Sequence, residues 1–165
     1  MQYTLIQVRS EDFELIRQWR NEQLDILRTE GILTKEAREK YREWYFDQCA
    51  SYKPKDILYT ILMENEPVGY GGLVHIDWEK MEAETSFLLK APQNPTYTDH
   101  VYRIFLSCLR DYTEKLGLKA WTSETFSERK GWAEMLERHG WKRIGYSCET
   151  KMGRRQMTIL HRREL

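Results

Sequence analysis

Cysteine is scarce in this sequence. There are three, Cys49, Cys108 and Cys148, odd in number, far apart and without a Cys-x-x-Cys pair. That argues against a disulfide framework or a thiolate zinc site and leaves them as small core residues. Net charge is missing as well: 26 Lys plus Arg balance 26 Asp plus Glu. A general nucleic-acid binder would be basic, so no nucleic-acid partner is expected, although a local basic pocket for phosphates stays open. Long apolar runs are absent. The opening MQYTLIQVRS contains none, so no signal peptide is expected. No stretch approaches the ~20 apolar residues of a membrane span. The expected setting is therefore cytoplasmic, with no membrane partner. There is no internal repeat, low-complexity tract or Gly/Ser linker either. At 165 residues, against roughly 100–200 for a usual domain, residues 1–165 read as one domain.

What is present is aromatic. Six Trp and ten Tyr supply core area and also flat surfaces for ligands. Tyr3 to Val8 reads as a strand, and Ser10 as the N-cap of a helix whose first turn holds Glu11, Asp12 and Glu14. Thr34 reads as a second N-cap. Ala37, Tyr41, Trp44, Tyr45 and Gln48 then share one helical face, up to Lys53-Pro54. Ile57 to Glu64, Val68 to Trp78 and Glu82 to Lys90 read as strands, the last two joined as a hairpin. Val101, Ile104, Phe105, Cys108, Leu109, Tyr112 and Leu116 form an apolar stripe that Gly117 stops. Leu118 to Phe126 reads as another strand. Ser127 reads as the cap of a last helix carrying Trp132, Met135, Leu136 and His139, which Gly140 ends. A closing hairpin then turns around Gly153. The order βααβββαβαββ predicts a mixed α/β or α+β sheet.

That order, with the segments filling it, resembles the GNAT N-acetyltransferase superfamily. Three segments carry the likeness: Glu66-Pro67-Val68-Gly69-Tyr70-Gly71-Gly72, Ala83-Glu84-Thr85-Ser86-Phe87-Leu88-Leu89, and Trp132 to Trp141 with its helix and Gly-aromatic ending. Trp19-Arg20-Asn21, followed by a Thr-capped helix, is similar to the amino-sugar-nucleotide and ribosomal-protein branches. The equally open alternative makes Trp19 a core residue and Arg20-Asn21 a helix end. The resemblance implies a single GNAT-like domain with a mixed, mostly antiparallel twisted sheet flanked by about four helices. It implies acetyl transfer from acetyl-CoA, as cosubstrate, to a small-molecule amine such as an amino-sugar nucleotide. A protein N-terminal acetyltransferase and a non-catalytic acyl-CoA-binding or regulatory module are the alternatives. A homodimer stays open as a partner, since the sequence does not fix the oligomeric state.

The family's coenzyme loop departs from its pattern. Ala91 to His100 contains no glycine and two prolines that lack N–H donors. Phosphate binding is then expected to lean on the helix start, His100, and cations such as Arg103, Arg129 or Lys130. Leu136 stands where the family often has a proton-donating Tyr, and that role has no evident occupant. The main-chain groups of Phe87, Leu88 and Leu89 are expected to hold the pantetheine.

For the base, strand geometry points to Glu84 with His75. If Glu79-Lys80 form the turn, Asp77 opposes Glu82 and His75 opposes Glu84, with Cβ atoms roughly 4.5–5.5 Å apart. A one-residue change would break this register, and a plain surface pair is the competing reading. Asp77 joins Trp19, Arg20 and Asn21 on the expected acceptor side. His75, Asp77 and Glu84 lack the spacing of a recognised metal site, so no metal is expected. The Gly69-Tyr70-Gly71-Gly72 run marks a bulge or a close backbone approach rather than a phosphate loop. Arg154-Arg155 and Arg162-Arg163 read as exposed hairpin charge.

Overall fold

The computed structural model describes residues 2–28 and 31–165. Seven strands form one sheet in the order β1-β2-β3-β4-β5-β7-β6. They are β1 (Tyr3–Gln7), β2 (Ile57–Met63), β3 (Glu66–Asp77), β4 (Glu82–Leu89), β5 (Ala120–Phe126), β6 (Lys142–Lys151) and β7 (Arg154–Glu164). Every neighbouring pair is antiparallel except β4 and β5. That exception follows from the connection: α3 (Pro95–Leu116) carries the chain across the sheet, so β5 re-enters alongside β4. Helices α1 (Asp12–Asn21) and α2 (Lys35–Cys49) pack with Tyr70, Val74 and Leu88 into one apolar cluster. Leu73, Phe105, Leu109 and Trp121 anchor the larger cluster on the α3 face, which α4 (Lys130–Arg138) joins through Met135 and Leu136.

Local chemistry explains the element ends. Thr34 caps α2 by accepting from the Ala37 N–H at 3.1 Å, and Gly117 ends α3 at φ +81°. Ser10 does not cap α1: the helix starts after Glu11 without a side-chain cap. The Ser10 hydroxyl instead accepts from Arg42, while Asp12 holds Arg9. Ser127 does not cap α4 either: the N-cap position falls at Arg129, without a side-chain cap. Helix α3 begins at Pro95, capped by the Asn94 side chain accepting from the Tyr97 N–H at 2.8 Å. At this first position proline loses nothing, since its missing N–H would have had no partner.

Two readings of side-chain placement are corrected. Cys49 and Cys148 are exposed, and Cys108 is part-buried at the edge of the larger cluster. On α2, Trp44 and Ala37 face outward and Arg38 goes inward with Tyr45. Among the described residues, no helix is long and apolar enough to cross a membrane.

Candidate active site

The site begins where the parallel strands come apart. β4 and β5 pair only over Glu82–Glu84 and Ala120–Thr122, yet they continue to Leu89 and Phe126. Glu84 is therefore the last paired residue, at the vertex of an opening V. Beyond it lies a crevice of about 640 Å³, walled by Glu84, Thr85, Ser86 and Phe87 on one side and Ser123, Glu124 and Thr125 on the other. A second cavity, about 430 Å³, follows the outer half of β4 to Pro95 and Thr98 at the start of α3. Ile26, Phe87, Arg129 and Trp132 line both, so the two adjoin.

The ladder decides which main-chain groups face the V. The Lys90 N–H donates to the Val68 carbonyl at 2.8 Å. Alternation along an antiparallel pair then turns Ser86 and Leu88 toward β3, and Thr85, Phe87 and Leu89 toward the open edge. Of the three residues expected to hold a pantetheine arm, Leu88 is thus turned away. The Leu89 carbonyl already accepts from buried Gln23 at 2.8 Å. Phe87 keeps its main chain on the open edge. Its ring packs against Tyr102, Phe105 and Trp132.

Glu84 and His75 do meet, by a route the expected register did not contain. Asp77 opposes Glu82 as expected, but Val74, not His75, opposes Glu84. Two β3 residues, His75 and Ile76, face the single Ala83, which makes a β-bulge. His75 adopts φ +50°, uncommon for a residue other than glycine. Two hydrogen bonds brace it there. Asp56 Oδ1 accepts from the His75 N–H at 3.1 Å, and Asp56 Oδ2 accepts from the Tyr41 hydroxyl at 2.6 Å. The imidazole is thereby carried onto the Glu84 face, with Nδ1 2.8 Å from Glu84 Oε2. The His75 side chain is 78% exposed and Glu84 27%, so the pair joins the crevice to solvent.

Other expected residues are dispersed. Trp19 is buried in the α1/α2 cluster, the core alternative. The Asn21 amide clamps Leu33, donating to its carbonyl at 3.0 Å and accepting from its N–H at 2.8 Å. Arg20 does line the crevice and donates to the Tyr70 hydroxyl at 2.7 Å. Asp77 ties the β3–β4 turn, accepting from the N–H groups of Glu79 and Lys80. His100 and Arg103 reach neither cavity. Because α3 starts at Pro95, residue 100 is already past its first turn, and the His100 ring lies edge-on to Tyr3. Arg129 stands at the junction of the cavities, stacked over Trp132 at 4.6 Å. Burial pulls its pKa down to about 10. Leu136 lines the crevice and carries no proton to give.

Sequence reasoning missed Arg28, Arg38, Glu124 and Glu149. Arg28 gathers three carboxylates: Glu84 at 3.4 Å, Glu124 at 3.1 Å and Glu149 at 2.5 Å. Burial opposes its charge, but Glu149, Glu124 and Glu84 outweigh that and raise its pKa above the usual value. Lys151 donates to the carbonyls of Leu24 and Leu27, so the segment after α1 is tied to the β6–β7 hairpin. None of these long-range partners leaves a local pattern in sequence. Among the described residues, no group of three or more His, Cys, Asp or Glu could hold a metal ion.

A mixed sheet opened between its parallel strands, with a carboxylate at the vertex, defines an acyl-transfer scaffold of the GNAT class. Residues 5–154 match the family described as acetyltransferase (GNAT) domain, and the chain belongs to that family, whose acetyl donor is acetyl-CoA. Among solved structures it resembles a chimera of the spermidine N-acetyltransferase SpeG from Vibrio cholerae with hSSAT. Identity is 17%, the match covers 99% of this chain and 96% of that one, and the TM-score is 0.81. The Vibrio cholerae spermidine N-acetyltransferase in complex with CoA and spermine gives 18% identity, 99% and 95% coverage and a TM-score of 0.80. A dodecameric structure of that enzyme gives 18% identity, 98% and 92% coverage and a TM-score of 0.76. At such identities the likeness is one of fold. No curated protein sequence matches the chain.

Proposed function

We propose that this acetyltransferase acts on the primary amine of a small molecule held in the crevice, with Glu84 and His75 removing the amine's proton. Acetyl-CoA supplies the acetyl group as a thioester. The observation that carries the reading is the position of the Glu84–His75 pair at the point where β4 and β5 separate. A neutral amine is needed for attack, and most amines are protonated near neutral pH, so a positioned acceptor of that proton accelerates the step. The amine nitrogen forms the new C–N bond, the thioester C–S bond breaks, and coenzyme A leaves as the thiol. The leaving sulfur takes its proton from solvent, since Leu136 has none to give. The Phe87 main chain on the open edge of β4 orients the pantetheine arm. Arg129, bridging the two cavities, meets the coenzyme's phosphates, aided by the first turn of α3.

An amino-sugar nucleotide suits a crevice lined by Arg20, Arg28, Arg38 and Arg129. A polyamine, the kind of substrate that the Vibrio cholerae enzyme's name carries, suits the carboxylates of Glu84, Glu124 and Glu149. A peptide N-terminus would need a long open groove, for which a concavity sharing Tyr41, Asp56 and His75 with the crevice is the only support.

The test is coenzyme A release with a panel of amines, beside thermal shift with acetyl-CoA. Glu84→Gln and His75→Ala should each lower kcat by about 10²-fold or more while keeping the acetyl-CoA-induced rise in Tm. Undiminished rates in both variants remove the assigned base. No rise in Tm at millimolar acetyl-CoA removes the coenzyme reading.

A further inference from the structure

Arg38 is the most deeply buried arginine in the crevice wall and, among the described residues, has no counter-ion. It lies on the inner face of α2, is 8% exposed and lines the crevice beside Arg20, Tyr41 and Tyr70. Among the described residues its guanidinium makes no hydrogen bond and no ion pair, and its Nε is a buried donor without a partner. Two neighbours offer ring faces: Tyr41 with its centroid at 5.3 Å and Phe13 at 5.9 Å. The other arginines on this wall have partners for their N–H groups, Arg129 in the Ile26 carbonyl at 3.4 Å and the Trp132 ring. Arg28 has its three carboxylates, Arg20 has Tyr70, and nearby Arg17 has Glu14. Burial lowers the Arg38 pKa; the phenols of Tyr70 and Tyr41 pull it back up, and the Arg20 and Arg17 charges lower it further.

A buried charge left unpaired costs several kcal/mol and is ordinarily paired or neutralised. Arginine cannot neutralise by losing its proton near neutral pH. A planar fork of N–H donors suits the oxygens of a carboxylate or phosphate. The missing partner is therefore an anion that arrives with the ligand. We propose that Arg38, with Arg20 beside it, forms an oxyanion subsite, so that the acceptor is an amine that also carries a carboxylate or a phosphate. This rests on the reading of the crevice as the acceptor site. It places the anion against α2 and the amine toward Glu84, both of which line the crevice. Such an acceptor carries a charge for each of these groups, which a polyamine does not.

The experiment compares matched amines: glucosamine with glucosamine 6-phosphate, ethanolamine with phosphoethanolamine, and propylamine with β-alanine, with spermidine alongside. Coenzyme A release gives kcat/KM for wild type, Arg38→Met and Arg38→Lys. At least one oxyanion-bearing member should exceed its counterpart without the oxyanion by tenfold or more in wild type. The phosphate or the carboxylate pairs show which source is meant. Arg38→Met should collapse that ratio toward one, and Arg38→Lys should keep part of it. Because Met fills a similar volume without a buried charge, Tm should hold or rise in Arg38→Met; a residue that serves packing alone would lower Tm and leave the ratio intact. Calorimetric titration of inorganic phosphate and of acetate into wild type and Arg38→Met tests the subsite without turnover, so a failure of the catalytic assignment stays separable. A wild-type ratio near one with spermidine preferred, a ratio unchanged in Arg38→Met, or anion binding indifferent to Arg38 overturns the proposal.

Discussion

Asp56 shows how much of the candidate site depends on groups that never enter the chemistry. It is buried, and its two carboxylate oxygens are divided between the His75 N–H and the Tyr41 hydroxyl. This holds His75 in the left-handed region that aims its ring at Glu84. Without the carboxylate, the backbone at His75 is free to relax to an extended conformation, which would return the ring to the other face of β3. Asp56→Ala should therefore reduce kcat at least about tenfold, since misplacing a reacting group by about 1 Å can cost more than that. The acetyl-CoA KM should change little. Steady-state kinetics beside Asp56→Asn, which keeps an acceptor for the His75 N–H and should recover part of the rate, checks this. An unchanged kcat in Asp56→Ala would mean that His75 does not need its bulge. Strand alternation named Glu84 and His75 together, but in a register where they face each other directly; a bulge that alternation does not record is what joins them. Arg28 and Arg38 were not legible. An arginine in a polar segment or helix looks the same whether it meets solvent, three carboxylates or nothing.

At the scale of elements, the V depends on β3 and β4 being able to lie close beneath α3. Gly71 makes that possible: a Cβ there would stand 2.3 Å from the Ser86 carbonyl and 2.7 Å from the Phe105 ring. Gly72, at φ +151°, would put one 2.2 Å from the Ile57 carbonyl. The glycine run was readable as close approach, and close approach is what it serves. Gly71→Ala should lower stability by about 1–3 kcal/mol, the usual cost of overpacking, because a backbone carbonyl cannot swing away as a flexible side chain can. A urea melt measures it, and an unshifted midpoint would mean the strands separate freely. Element identity came through well from periodicity and caps: the βααβββαβαββ order matches the observed one. Ends and rotations came through less well. Proline-bearing residues 91–100 read as an irregular loop, whereas Pro95 opens α3. The α3 stripe is also turned to bury Tyr102, Leu106 and Thr113, because α4 and the sheet claim that side together.

For the whole molecule, two buried titratable groups set the response to acid. His161 lies at 0% exposure with neither ring nitrogen hydrogen-bonded. Burial depresses its pKa from the usual value, with Arg143 adding to the effect and Glu137 opposing it. The unfolded chain therefore takes up a proton near pH 6.5 that the folded chain refuses, and stability falls as pH drops through that region. Burial raises the Asp12 pKa, but hydrogen bonds from Arg9 and Thr60 outweigh it, and the carboxyl ends below its usual value. Its contribution is present above the unfolded value near 3.9 and is lost as pH falls through the folded one. Urea midpoints across pH 3–8 should thus decline in two stages. His161→Leu should flatten the first and Asp12→Asn should shrink the second. An unaltered slope between pH 5 and 7 in His161→Leu would show that His161 protonates in place.

Local chemistry in the chain determined which segments are helices and strands, where Thr34 and the glycines stop or bend them, and the order that marks the family. These rest on contacts a few residues apart, which a linear pattern records. Tertiary structure alone decided that β4 and β5 part after Glu84, that a bulge carries His75 across the sheet, and that Arg38 is buried without a counter-charge. Each is a relation between distant segments, set by which side chains compete for the same space and by the polar groups left over once the two apolar clusters have closed.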